Sequence, residues 1–213
     1  MIRLWHRPAI RAAFPWMLLS VLVALHASFE RSMAAHMLAH IPLIAVAGAL
    51  IGHQARAATR RSLGRPMQTT IRFLSAFNQH GVTGLLYATL TGMFWMIPKA
   101  LDDVLLSPSV AIAKYVSVGL AGILVAVSWQ RAHAVIRLFF VGGFCWTSAI
   151  AGMLYQESTA RLCNFYLLDD QVWAGRGLVI LAIVLPSIWA IHEVRLHAAR
   201  TQQARVNAGL ASH

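Results

Sequence analysis

The chain has 213 residues, of which 58% are hydrophobic and 12% charged, and it carries a formal net charge of +11. A soluble domain has roughly 25% charged residues, so this composition excludes an ordinary soluble globule and points to a polytopic membrane protein. The basic excess does not mark a nucleic-acid binder, because the arginines and lysines lie between apolar runs and follow a topology rule. Cys145 and Cys163 offer neither a disulfide framework nor a CxxC pair. The first apolar run lacks a small-residue cleavage site and reads as a retained span.

Taken in order, Met1 to Ala13 is a basic lead with Arg3, Arg7 and Arg11. The first span covers about residues 14–28 and is short enough that its helix should start a few residues earlier. Glu30 and Arg31 occupy a tight connection. The second span, about 33–53, is MAAHMLAHIPLIAVAGALIG. Its length and apolarity suit a bilayer-crossing helix, yet His36 and His40 sit in its first turns. Residues i and i+4 share a helix face at about 5–6 Å between Cβ atoms, and Met33 and Met37 fall on the same stripe. Imidazole is the commonest metal ligand and thioether a soft one that suits copper(I). Polar groups inside a span are functional candidates by default. Pro42 cannot donate to the carbonyl of Leu38, which predicts a kink just after His40. Gly48 and Gly52 form a GxxxG face that admits a close helix, a second copy of the chain included.

Residues 54–67 form a basic loop, and 69–79 read as either an interfacial helix or the entry turn of a long third span. Spans at about 81–97, 110–129, 138–155 and 174–191 complete six, in a single domain over 1–213. With both termini on one side, thirteen of the eighteen basic residues fall on that side, which the positive-inside rule makes cytoplasmic. Six of the seven acids, all but Glu193, fall on the other. The expected fold is therefore an all-α bundle of six transmembrane helices with N- and C-termini cytoplasmic.

This topology gathers soft and hard donors at the outer side: His36, His40, Met33, Met37, Met96, Asp102 and Asp170. Lys114, one turn into the fourth span, should pair with an outer-loop aspartate or snorkel outward. Asn78, Gln79 and His80 suggest an interhelical hydrogen-bond knot. No nucleophile–base pair, phosphate loop or zinc-protease motif is present, so no enzyme activity is expected.

Three stretches resemble the membrane-integral CtaG-type cytochrome c oxidase assembly proteins. HMLAH resembles that family's HMxxH helix, with His36 and His40 on the histidines. LLDDQVWAG is similar to its Asp-Gln pair before the last helix, here Asp170 and Gln171. FWMIPKALDDVLLSP looks like its Trp-His-x-Pro segment and following turn. There Trp95, Pro98 and Asp102 fit, Met96 stands in place of a histidine, and Lys114 stands near a second histidine position. The resemblance covers about residues 30–190. It implies a non-enzymatic copper-handling assembly factor of a bacterial inner membrane, with its site facing the periplasm. Its partners would be the lipid bilayer and haem-copper oxidase subunits or a periplasmic copper carrier. His36 and His40 would be primary ligands of one copper(I), Met33, Met37 and Met96 soft co-ligands, and Asp102 and Asp170 supporting or access residues. The other readings open to the sequence are a haem-binding membrane cytochrome or electron carrier and a ligand-free structural subunit.

Overall fold

A computed structural model of the chain describes residues 8–59 and 76–211. Every regular element among them is helical. Helix α1 is Pro8–Ala24, and α2 is a single turn, His26–Phe29. Helix α3 runs without interruption through Met33–Ala35, a π-helical turn at His36–His40, and Ile41–Thr59. Then come α4 (Val82–Phe94), α5 (Pro98–Leu106), α6 (Pro108–Ser128), α7 (Ala134–Glu157) and α8 (Leu168–Ala211).

Punctuation in the sequence sets most of these boundaries. Pro98 and Pro108 each occupy the first helical position after an extended residue, Ile97 and Ser107, where a missing N–H costs nothing and the fixed φ suits a helix. Gly81, at φ 75°, turns the chain into α4, a backbone conformation that favours glycine. The apolar runs fall on α1, α3, α4, α6, α7 and α8. Among the described residues four helices are long and apolar enough to cross a membrane: Met33–Arg56, Pro108–Ser128, Ala134–Glu157 and Leu168–Gln203. The apolar parts of α1 and α4, Ala12–Ala24 and Val82–Phe94, are shorter.

Several expected boundaries shift. The first helix begins earlier than residue 14, as its shortness implied, but ends at Ala24, and a separate turn of helix follows. The last helix starts at Leu168, six residues ahead of the expected span, and continues to Ala211. Most of 69–79 lies outside the described residues. Within 77–80 the backbone forms turns.

Helices α3, α6, α4, α7 and α8 pack in that order around a centre, each against the next. The ring closes where α8 meets the first turns and the π turn of α3. The GxxxG face is taken by α6 of the same chain, so it is not left open for a second copy. A Cβ on Gly48 would collide with the carbonyl of Gly119, and one on Gly52 would lie 2.8 Å from the carbonyl of Ile123. From the other side, a Cβ on Gly122 would strike the carbonyl of Ala45. Small residues on both helices let the backbones approach closely, as in membrane helix pairs. Asn78 forms part of the expected polar knot. Its side-chain amide donates to Ser128 Oγ at 2.7 Å and its oxygen accepts from the Gly84 N–H at 3.2 Å. Gln79 and His80 are exposed. The opposite end of the ring holds α2, α5 and the 158–167 connection, and there the polar side chains converge.

Candidate metal centre

The site is built by a short reversal. Glu30 closes α2, its N–H bonded to the carbonyl of His26 at 2.9 Å. Two residues later Ser32 is the N-cap of α3, with extended backbone and its Oγ accepting from the Ala35 N–H at 3.3 Å. Ser32 Oγ in turn donates to Asp170 Oδ1 at 2.7 Å, and the Met33 N–H donates to Asp170 Oδ2 at 2.5 Å. Asp170, from the first turn of α8, thus satisfies a free N–H at the start of α3 with a negative charge, where the helix dipole favours one.

The π turn supplies the next level. Its N–H closure runs from Ile41 to the carbonyl of His36. A π turn holds one residue more than an α turn and is rare outside functional sites. Its placement has a local cause. Pro42 has no N–H to give to Leu38, and its ring crowds that carbonyl, so the regular α ladder is already broken there. The disturbance expected after His40 is therefore a widened turn that begins at His36.

Glu30, His36 and His40 each offer a ligand atom, and these atoms lie within 4.8 Å of one another. Both histidines are 0% exposed. The Nζ of Lys114, also 0% exposed, lies 2.6 Å from Glu30 Oε1 and 3.1 Å from His36 Nε2. A lysine ammonium can only donate, so His36 Nε2 accepts. Its Nδ1 then carries the proton and donates to the Tyr166 hydroxyl at 2.9 Å. The Tyr115 hydroxyl lies 3.2 Å from the carbonyl of Leu22 and 3.0 Å from His40 Nε2. Nδ1 of His40 has no hydrogen-bond partner among the described residues. Phe29 stacks on the His40 ring at 5.1 Å and 10°, holding its plane.

The other predicted residues fall into two groups. Met33 and Met37 pack in an apolar cluster with Leu101, Tyr155, Cys163 and Tyr166, and Met96 packs against it. The Met96 carbonyl accepts from Tyr155, and its sulfur lies 3.9 Å from Ser148 Oγ. The carboxylates work as scaffolding. Asp170 caps α3, and Asp102 Oδ2 accepts from the Asn164 N–H at 2.8 Å while its Oδ1 has no partner among the described residues. Gln171 accepts from the Leu162 N–H at 2.9 Å and donates to the Tyr155 carbonyl at 3.1 Å, tying the 158–167 connection to α7 and α8. Trp95 is buried, with its indole N–H on Ser117 Oγ at 3.0 Å. His26, the outer histidine a haem reading would need, is exposed and bonded to the carbonyl of Val23 at 2.9 Å.

Two corrections follow. Lys114 pairs with Glu30 and not with a loop aspartate. Glu30 belongs to the cluster, although by sequence it is only one of six acids on the outer side. Cys163 is a poor soft ligand. Burial, with Asp102 nearby, pushes its thiol up to about 12, and the reactive, metal-binding form of cysteine is the thiolate. Its Sγ lies 3.4 Å from the carbonyl of Pro98. Burial first, and then Glu30, also raise the Tyr166 phenol above its usual range, so it stays a neutral hydrogen-bonding hydroxyl.

Comparison with family models, with curated proteins and with solved structures gave no match to the chain. The likeness to the CtaG-type proteins therefore rests on the three motifs alone.

The donor set fits a transition-metal ion. Two neutral imidazoles and a carboxylate suit copper(II), zinc or iron(II), whereas thioethers suit copper(I). A fully buried imidazole nitrogen without a hydrogen-bond partner calls for an explanation, and a bound ion supplies one.

Proposed function

We propose that this chain is a six-span membrane protein that binds a transition-metal ion, copper foremost, at Glu30, His36 and His40. On the likeness of its motifs we take it to act as a non-enzymatic assembly factor for a haem-copper oxidase. The observation that carries the metal reading is the triad itself, with a partnerless Nδ1 on the fully buried His40. Copper is the cargo here. The protein's part is to present nitrogen and oxygen ligands in a dry site and to hold them through Tyr166, Tyr115, Phe29 and Asp170. The presence of imidazole and carboxylate at the triad shifts the preferred oxidation state from copper(I) toward copper(II). Metal analysis of detergent-purified protein tests this. About one copper per chain is expected, falling to background in His36→Ala/His40→Ala. Equal metal in the double variant would remove the site.

One observation favours a second reading. Lys114 already neutralises Glu30 and hydrogen-bonds His36, so the cluster is also a self-sufficient polar knot of the kind a ligand-free structural subunit could carry. Absence of metal from both proteins, with the double variant less stable, would select that reading.

The proposed topology sets both termini in the cytoplasm of a bacterial inner membrane and the triad toward the periplasm. It has a direct check. Glu157→Cys should be labelled by an impermeant thiol reagent in intact cells, and Arg60→Cys should be labelled only after lysis. Labelling of both in intact cells would invert or break the six-span arrangement.

A further inference from the structure

The ring of helices encloses a cavity of about 420 Å³, within the range of small-molecule sites. All five ring helices contribute to its wall, through residues such as Ala45, Leu85, Val118, Phe144 and Leu181. Among the described residues no charged side chain lines it. Its polar wall residues are Thr89, Thr91, Trp95 and Trp129; Thr89 has its hydroxyl on the carbonyl of Leu85 at 2.9 Å, and Trp95 has its indole on Ser117. Such a space stays dry, since water needs polar partners to occupy a cavity. An empty void of this size would forfeit the dispersion contacts of its whole lining. A hydrocarbon is the occupant that restores them.

The ring has an opening of the right kind. Helix α8 packs on the first turns and the π turn of α3, and beyond His40 the two helices part. Val46 and Leu185 flank this gap, at 49% and 37% exposed, and both also line the cavity. Since α3 and α8 are both long and apolar enough to span a membrane, the gap would open sideways onto lipid tails.

We infer that this cavity binds one acyl chain of a phospholipid, threaded between α3 and α8, with the headgroup left outside the ring. The absence of charge and a wall whose exposed surface is almost wholly apolar favour an acyl chain over a quinone, whose ring carbonyls would want donors inside. The inference rests on the chain lying in a bilayer and is independent of the metal.

The test uses the unaltered full chain in vesicles of phosphatidylethanolamine and phosphatidylglycerol containing a phospholipid with a diazirine near the end of one acyl chain. After illumination, peptide mass spectrometry locates the adducts. Leu85 and Val118 line the cavity and are 4% and 3% exposed, whereas Leu86 and Val116 lie outside its wall at 46% and 63%. Saturable adducts on Leu85 or Val118, competed by unlabelled phospholipid, are expected. Adducts confined to outward residues such as Leu86 and Val116 would overturn the proposal. Displacement of the inner adducts by an isoprenoid quinone but not by phospholipid would overturn the choice of occupant.

Discussion

Glu30→Ala should lower the stability of the purified protein by about 3 kcal/mol, because it strands an ammonium. Lys114 is fully buried among helices, and Glu30 is its anionic partner at 2.6 Å. Breaking a buried pair by removing one member costs several kcal/mol, since the remaining charge keeps its desolvation penalty without compensation. A lysine at depth in a membrane helix carries a penalty of similar size. For a chain of this length the loss corresponds to a fall in melting temperature on the order of 10 °C. Thermal unfolding in detergent measures it. The double variant Glu30→Ala/Lys114→Met should recover most of the lost stability, because both charges are then gone, and the departure from additivity reads out the pair. Metal should not return in the double variant, since the carboxylate ligand is absent. A single variant that melts with the wild type would show that the ion pair contributes little.

Lys114→Met is expected to strengthen metal binding by tenfold to a hundredfold. The ammonium occupies lone pairs on two of the three proposed ligands, Glu30 Oε1 and His36 Nε2. A metal ion must displace those hydrogen bonds before it can bind. Hydrogen bonds to charged groups contribute roughly 1.5–3 kcal/mol, and about 1.4 kcal/mol is tenfold in affinity. Methionine keeps much of the length of the side chain and removes the competitor. Chelator competition with copper(II) on the purified protein provides the measurement. A weaker affinity in the variant would mean that Lys114 holds the ligands in place and does not compete for them.

The histidine pair was legible in the sequence because i, i+4 spacing is a property of any helix, and His36 and His40 stay neighbours in the π turn, ring centroids 5.6 Å apart. The apolar runs gave the helices, and Pro98, Pro108 and Gly81 gave several boundaries. That Lys114 needs a carboxylate followed from its depth in an apolar run. Which carboxylate did not follow. The choice of Glu30 depends on the reversal at 30–32, and that reversal is held by Asp170, which is 138 residues from Ser32. A single-residue acid in a short connection gives no sign of such a long-range clasp. The surroundings of the methionines were hidden for a related reason. On a regular helix Met33 and Met37 share a stripe with the histidines, but side chains on one stripe can still diverge toward different neighbours. Here Met33 and Met37 join the apolar cluster with Tyr155 and Cys163, while the two histidines group with Glu30. The motif residues Asp170 and Gln171 were found, yet their work is to fasten backbone, through Met33, Leu162 and Tyr155.

The π turn at His36–His40 also acts as a phase adjuster within one continuous rod. Toward one end, α3 must aim Ser32 and Met33 at Asp170. Toward the other, it must lay Gly48 and Gly52 flat on α6. A uniform α-helix advances about 100° per residue, so the two demands can be met together only if the number of residues between them happens to suit. The wide turn takes up one residue more than an α turn and leaves the two halves in the relation both demand. Shortening HMLAH by Ala39 would let that turn close as a regular α turn, with the clasp and the helix seam still able to close together. What changes is the spacing of His36 and His40, from four residues to three.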